Sequence, residues 1–151
     1  MYIHGCRHLI VEQFEVADAH YSIGTEPYSG FYSYIAYMRV QGMSWSAKVN
    51  GKVVASAGLV PLWPGCAEAW MIGGDKTEQH AVTIARQLRI RLRDAMWHRD
   101  IRRAQANIHH KFEKAIRLAE WLGFENEGLM RQFGVEGDDY YRFALLWPSQ
   151  K

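Results

Sequence analysis

Asn50-Gly51 lies between two runs of strand character. Trp45-Ser46-Ala47-Lys48-Val49 alternates before it, and Lys52 to Val60 follows as an apolar run. A two-residue type I′ turn needs positive φ at both central residues, and Asn-Gly adopts this at least cost, so a β-hairpin is predicted here. Pro61 and Pro64-Gly65 are expected to punctuate the second strand. Ala67 to Ile72 reads as a third strand, closed by Gly73-Gly74.

The hydrophobic period then changes from two to 3.6. Ala81, Ile84, Ala85, Leu88, Leu92, Ala95 and Met96 form one helical stripe, with Arg86, Arg89 and Arg93 on the other side. Arg103 to Ile108 is a short strand. A second helix is expected from about His110 to Leu122, with its stripe on Phe112, Ala115, Ile116, Ala119 and Leu122. Gly123 suits the left-handed position that ends a helix, and Phe124 can fold back over the last turn. Gly128 to Val135 and Tyr140 to Trp147 complete a last hairpin. Before the first hairpin, short helices are expected from Val11 to Tyr21 and from Phe31 to Met38. The order is helices, hairpin, strand, helix, strand, helix, hairpin. That is an α/β (α+β) chain with a mixed sheet, not a doubly wound parallel one.

At 151 residues a single domain over 1–151 is expected, large enough to fold around one core. Two cysteines, Cys6 and Cys66, are too few for a disulfide framework or a four-thiolate zinc site. They read as free thiols of a reducing cytoplasm. No apolar run approaches the roughly 20 residues that cross a bilayer. The start, Met1-Tyr2-Ile3-His4-Gly5, lacks the basic-then-apolar pattern of a signal peptide, so a cytoplasmic location is expected.

The formal net charge of +2 conceals a split. Residues 76–117 carry 11 Lys/Arg against 4 Asp/Glu, while both flanks are net acidic. The arginine face could follow the phosphates of a nucleic acid, but Asp94 and Asp100 interrupt it and no recognition motif accompanies it. A solvated helix face is the better reading. Aromatics cluster as well: Tyr21, Tyr28, Phe31, Tyr32, Tyr34 and Tyr37 fall within 17 residues. They read as a packed layer or as the rim of a substrate site.

Three constellations bear on chemistry. Gly73-Gly74-Asp75-Lys76-Thr77-Glu78-Gln79-His80-Ala81 joins a strand to a helix start. Unpaired N–H groups there would suit phosphate oxygens, with Lys76 adding charge, although an ordinary connecting loop has the same look. Glu68 stands inside an apolar strand; partly buried, it makes a usable general base, and facing water it is only the polar half of an alternation. The histidines form no complete ligand set, so no metal is expected, and His109-His110 at a strand-to-helix junction suits a cap or a cleft.

Together these segments make the chain resemble the GNAT superfamily of acyl-CoA N-acyltransferases, from about Ser46 to Trp147. Asn50-Gly51 with Val53-Val54-Ala55-Ser56-Ala57-Gly58 looks like the family's second-to-third-strand hairpin. Ala67 to Ile72 looks like its fourth strand, and Ala115 to Phe124 with Glu127-Gly128 like its late helix. Trp70-Met71-Ile72 with Trp121-Leu122-Gly123-Phe124 is most similar to small phage-encoded members.

The resemblance implies a mixed, mostly antiparallel sheet flanked by helices, opening in a V between its fourth and fifth strands. Acetyl-CoA would enter there as co-substrate, its pantetheine arm along the backbone of Met71 and Gly73. Its pyrophosphate would meet the loop through Lys76, Gln79, His80 and Ala81. N–H groups around Ile72 would polarise the thioester carbonyl. Glu68 falls where members carry a general base that readies an amine, small or on a protein, for direct attack. Three positions differ from the pattern: Gln79 replaces a glycine, Phe112 an asparagine of the late helix, and Ala119 the tyrosine that protonates the leaving thiolate. Tyr140, Tyr141, His109 or His110 would have to supply that proton. A catalytically degenerate protein that binds CoA or a host protein is the alternative. Members often form dimers through their late strands.

Overall fold

A computed structural model describes residues 9–23, 31–74 and 76–147. Its strands are β1 (Leu9–Gln13), β2 (Ser44–Val49), β3 (Lys52–Trp63), β4 (Cys66–Gly73), β5 (Arg103–His109), β6 (Glu125–Met130) and β7 (Tyr140–Leu146). Its helices are α1 (Val16–Ile23), α2 (Phe31–Met38), α3 (Ala81–His98) and α4 (Glu113–Leu122). The seven strands follow the order β1-β2-β3-β4-β5-β7-β6. β1/β2, β2/β3, β5/β7 and β6/β7 pair antiparallel, whereas β4/β5 pair parallel. The fold is thus the mixed sheet that the residue pattern implied, mostly antiparallel with helices as the resemblance implied.

The Asn-Gly hairpin forms as expected, with φ of 53° at Asn50 and 75° at Gly51. Four boundaries differ from the sequence reading. Val11 to Gln13 is strand, not helix, because β1 adds to the edge of β2 along Leu9↔Val49 to Gln13↔Trp45. β3 runs through Pro61 to Trp63. Its ladder to β2 ends at Ser44↔Gly58, so Pro61 lies where β2 no longer reaches and its missing N–H costs that pair nothing. α4 starts at Glu113, since the N–H groups of Lys111 and Phe112 turn back onto His109. β6 occupies Glu125–Met130 rather than Gly128 to Val135. Gln132 takes φ of 58° and its N–H donates to Asp139 Oδ1 at 2.9 Å, which pulls the following residues into a loop.

The described residues form two compact units. One comprises those up to Gly58 together with Met71–Leu88; the other comprises Leu59–Trp70 and those from Arg89 onward. In the first, Ala47, Val49, Val54, Ala55 and Ile84 form a buried apolar cluster with Leu9 against it. A polar network also lies inside it: Asp18 is only 5% exposed and accepts from Ser46 Oγ at 2.7 Å, which also bonds Ser56 Oγ. On α2, Ile35 and Met38 are buried while Tyr34 and Tyr37 are exposed, so these two tyrosines do not belong to a packed layer. Tyr28 and the structure around it lie outside the described residues, as do His4, Cys6 and His8. In the second unit, Leu92, Ala95 and Met96 of α3, Ala119 and Leu122 of α4, and Ala104, Ile108 and Phe143 of the sheet are buried.

Candidate functional site

β5 reads Arg103-Ala104-Gln105-Ala106-Asn107-Ile108-His109. Alternate side chains of a strand point to opposite faces, so Arg103, Gln105, Asn107 and His109 share one face. The register adds Glu68 from β4, opposite Gln105, and Arg142 and Tyr140 from β7, opposite Asn107 and His109. One face of the second unit is therefore polar across three strands.

Glu68 occupies a special place on it. The parallel ladder between β4 and β5 has three described rungs, Cys66↔Arg103, Ala67↔Ala104 and Glu68↔Gln105. Both strands continue beyond it, so Glu68 stands on the last rung. Its side chain is half-buried, and its carboxylate accepts from Asn107 Nδ2. Among the described residues no cation pairs with it. A carboxylate held by a neutral amide has no adjacent cation favouring its charged form, whereas one clamped by a guanidinium has. Glu127 illustrates the second state: Arg103 grips it with two N–H groups at 2.6 and 3.0 Å, and this holds its carboxyl below the ordinary range.

His109 and Tyr140 meet edge to face at 5.3 Å between centroids. His109 Nε2 lies 2.7 Å from Asp138 Oδ2, while its Nδ1 accepts the Lys111 N–H at 3.1 Å. A nitrogen that accepts carries no proton, so the neutral ring is protonated at Nε2. Nδ1 thus fixes the turn ahead of α4, and Nε2 ties that turn to the loop between β6 and β7; no side chain caps α4 itself. The Tyr140 phenol is pushed up from its ordinary value, first by burial and then by the Asp138 charge. It retains its proton at neutral pH and can donate it. His110 stacks on His109, and Tyr141 points to the opposite face from Tyr140.

The loop after β4 belongs to the first unit. Met71, Gly73, Lys76, Gln79 and Ala81 are exposed, and Ile72 and His80 half-buried. Thr77 organises it: its Oγ1 accepts the Gly74 N–H and donates to Val54 O, each at 2.7 Å. A Cβ at Gly73 would stand 3.1 Å from that oxygen, so the glycine lets the loop close. Glu78–His80 is a single 3-10 turn ahead of α3. The N–H groups of Gly74, Thr77, His80 and Ala81 are satisfied inside the loop. The expectation of unpaired N–H groups fails at these four positions. Phe112 does not join the α4 stripe: it precedes the helix and is exposed, with its N–H on His109 O.

Asn107 and Arg142 were not singled out from sequence. The signal was present, since Arg103 to His109 alternates polar with apolar as a strand with one polar face must. Among the described residues no group of three potential ligands could hold a metal. No helix of the described residues is long and apolar enough to cross a membrane.

No protein-family model matches the chain, and no curated protein matches its sequence. Solved structures do match in shape. Ard1 from Thermoplasma volcanium superposes with a TM-score of 0.76 at 13% identity, over 91% of this chain and 97% of that one. The ribosomal-protein-S18-alanine N-acetyltransferase from Escherichia coli gives 0.72 at 20%, over 92% and 94%. The fold is that of the GNAT acetyltransferases. A spermidine N-acetyltransferase from Vibrio cholerae shares the GNAT fold with this chain at a TM-score of 0.69 and 16% identity, over 91% and 93%. None of these three is a phage protein, so a phage-encoded origin draws no support from them. One GNAT scaffold thus serves acceptors as different as a protein's alanine and a polyamine.

Proposed function

We propose that this chain is an N-acetyltransferase that moves an acetyl group from acetyl-CoA to an amine, with Glu68 as the general base. The observation that carries the reading is the state of Glu68: the last rung of the β4–β5 ladder, half-buried, held by an amide and paired with no described cation. Glu68 takes a proton from the acceptor amine, directly or through a water. The nitrogen forms its bond to the thioester carbonyl carbon, and the carbon–sulfur bond breaks. The thiolate takes a proton from Tyr140, whose phenol is held protonated until that step. Backbone N–H groups around Ile72 stabilise the oxyanion. Met71 and Gly73 carry the pantetheine arm, with Lys76, Gln79, His80 and Ala81 at the pyrophosphate. The fold shared with acetyltransferases supports this assignment.

A second reading, a non-catalytic module that binds CoA or a host protein, is favoured by the loop N–H groups spent within the loop. Thermal denaturation with acetyl-CoA tests for the binding that the transferase requires, and turnover with an amine separates it from a module that only binds CoA. A ligand at 100 times its Kd stabilises the folded state by about 2.7 kcal/mol, so the acyltransferase shows a clear rise in Tm. Glu68→Gln then keeps that rise and loses about 10²–10⁴-fold in kcat. No shift at millimolar acetyl-CoA overturns the reading; unchanged turnover in Glu68→Gln removes Glu68 as base and leaves the transferase.

A further inference from the structure

Asn107 and Arg142 are direct partners across β5 and β7. Paired residues of antiparallel strands stand about 4.5–5.5 Å apart at Cα, with their side chains on the same face. Each carries a polar atom that is shut off from solvent and has no hydrogen-bond partner: Asn107 Oδ1 and Arg142 Nε. Such orphans are uncommon in folded proteins, and each calls for a cause.

The orientation of the Asn107 amide follows from chemistry. An ionised carboxylate only accepts hydrogen bonds, so the NH2 group must face Glu68 and Oδ1 must face away. Oδ1 is therefore an acceptor fixed beside the base. Arg142 supplies the complement. One of its terminal nitrogens reaches only the weakly accepting Met130 Sδ, at 3.7 Å. No described carboxylate lies within ion-pairing distance of it; its charge acts on Glu127, but that carboxylate is held twice over by Arg103. The face thus presents one unmet acceptor and one unmet cationic donor on adjacent residues, next to a base. Both side chains are otherwise half-buried.

From this pairing we infer that the acceptor is an α-aminoacyl group, the amino terminus of a peptide or a free amino acid. Such a group carries its N–H donors and its carbonyl or carboxylate oxygen only two carbons apart. The amine gives one N–H to Asn107 Oδ1 and its departing proton to Glu68, while the oxygen accepts from Arg142 Nε. A polyamine offers donors alone, leaves Arg142 unmet and sets cation against cation. The inference rests on the acetyl-transfer reading and narrows it to one class of amine.

The test follows CoA thiol release with an alanyl dipeptide amide, free alanine, spermidine and phenylethylamine. The expected result is kcat/KM at least tenfold higher for the dipeptide amide or alanine than for the two amines without an oxygen. Preference between the first two tells a peptide terminus from a free amino acid. Arg142→Met is expected to raise the acceptor KM at least tenfold with the KM for acetyl-CoA unchanged, and Arg142→Lys to restore only part of it. Spermidine or phenylethylamine turned over as well as the dipeptide amide, or an acceptor KM untouched in Arg142→Met, overturns the inference while leaving acetyl transfer in place. Should the variants not fold, the wild-type ranking decides alone. If no acceptor turns over, calorimetric titration of the dipeptide amide decides: binding that Arg142→Met abolishes supports the site, and no binding to wild type refutes it. Absence of acetyl-CoA binding is the separate failure, that of the transferase reading.

Discussion

Thr77 serves the loop after β4 in two directions with a single oxygen, accepting from Gly74 and donating to Val54. A valine there keeps the shape and orphans both partners. Leaving a part-buried polar group unmet costs about 1–3 kcal/mol, so Thr77→Val is expected to lower stability by that order, measured by urea denaturation, with Thr77→Ser close to wild type. The same rule applies to Asp18 in the first turn of α1. It accepts the Glu15 N–H at 2.9 Å, as an acid in a helix's first turn does, but also the buried Ser46 hydroxyl. Glu68 was legible as an acid inside an apolar strand. Its hydrogen-bond partner was not, because Asn107 lies 39 residues away and only strand pairing brings them together.

At the scale of elements, α4 ends as its sequence said. Gly123 takes φ of 101°, its N–H reaches Glu120 O at 3.0 Å, and Phe124 N–H reaches Ala119 O at 2.9 Å. These are the paired bonds of a Schellman cap. An alanine at this φ is strained, and its Cβ would stand 3.3 Å from Leu145 Cδ1. Gly123→Ala is therefore expected to cost about 1 kcal/mol or somewhat more, read as a fall in Tm without loss of fold. The start of α4 was less legible. The apolar stripe appeared to begin at Phe112, yet that side chain is exposed and the helix opens one residue later. Periodicity finds a helix's face well; its first turn is decided by where the preceding chain spends its N–H groups, here on His109. β6 teaches the same lesson. A bulge between Asn126 and Gly128 leaves Glu127 outside the regular register, and its carboxylate meets Arg103.

For the molecule as a whole, the response to acid follows from its carboxylates. Arg103 holds the Glu127 carboxyl below the ordinary 4.5, and Arg39 does the same for Glu15. A depressed pKa adds stability above the unfolded value and loses it as pH falls through the folded one. Stability is thus expected to decline below about pH 4.5, and Glu127→Gln to flatten that decline. Glu127 is 40% exposed, so its share is under about 1 kcal/mol. Denaturant titrations at pH 7 and pH 3 on wild type and variant measure the difference. Sequence alone determined the alternation of strands and helices, the Asn50-Gly51 turn, the Gly123 cap and the singular position of Glu68. Each is written in spacings of a few residues, where the backbone's own periods act. Tertiary structure decided that Val11 is strand, that β7 lies between β5 and β6, that Thr77 spends the loop's N–H groups inward, and that Asn107 stands between the candidate base and Arg142. Those outcomes depend on which edge is free and which partner arrives from tens of residues away, and no local period encodes that.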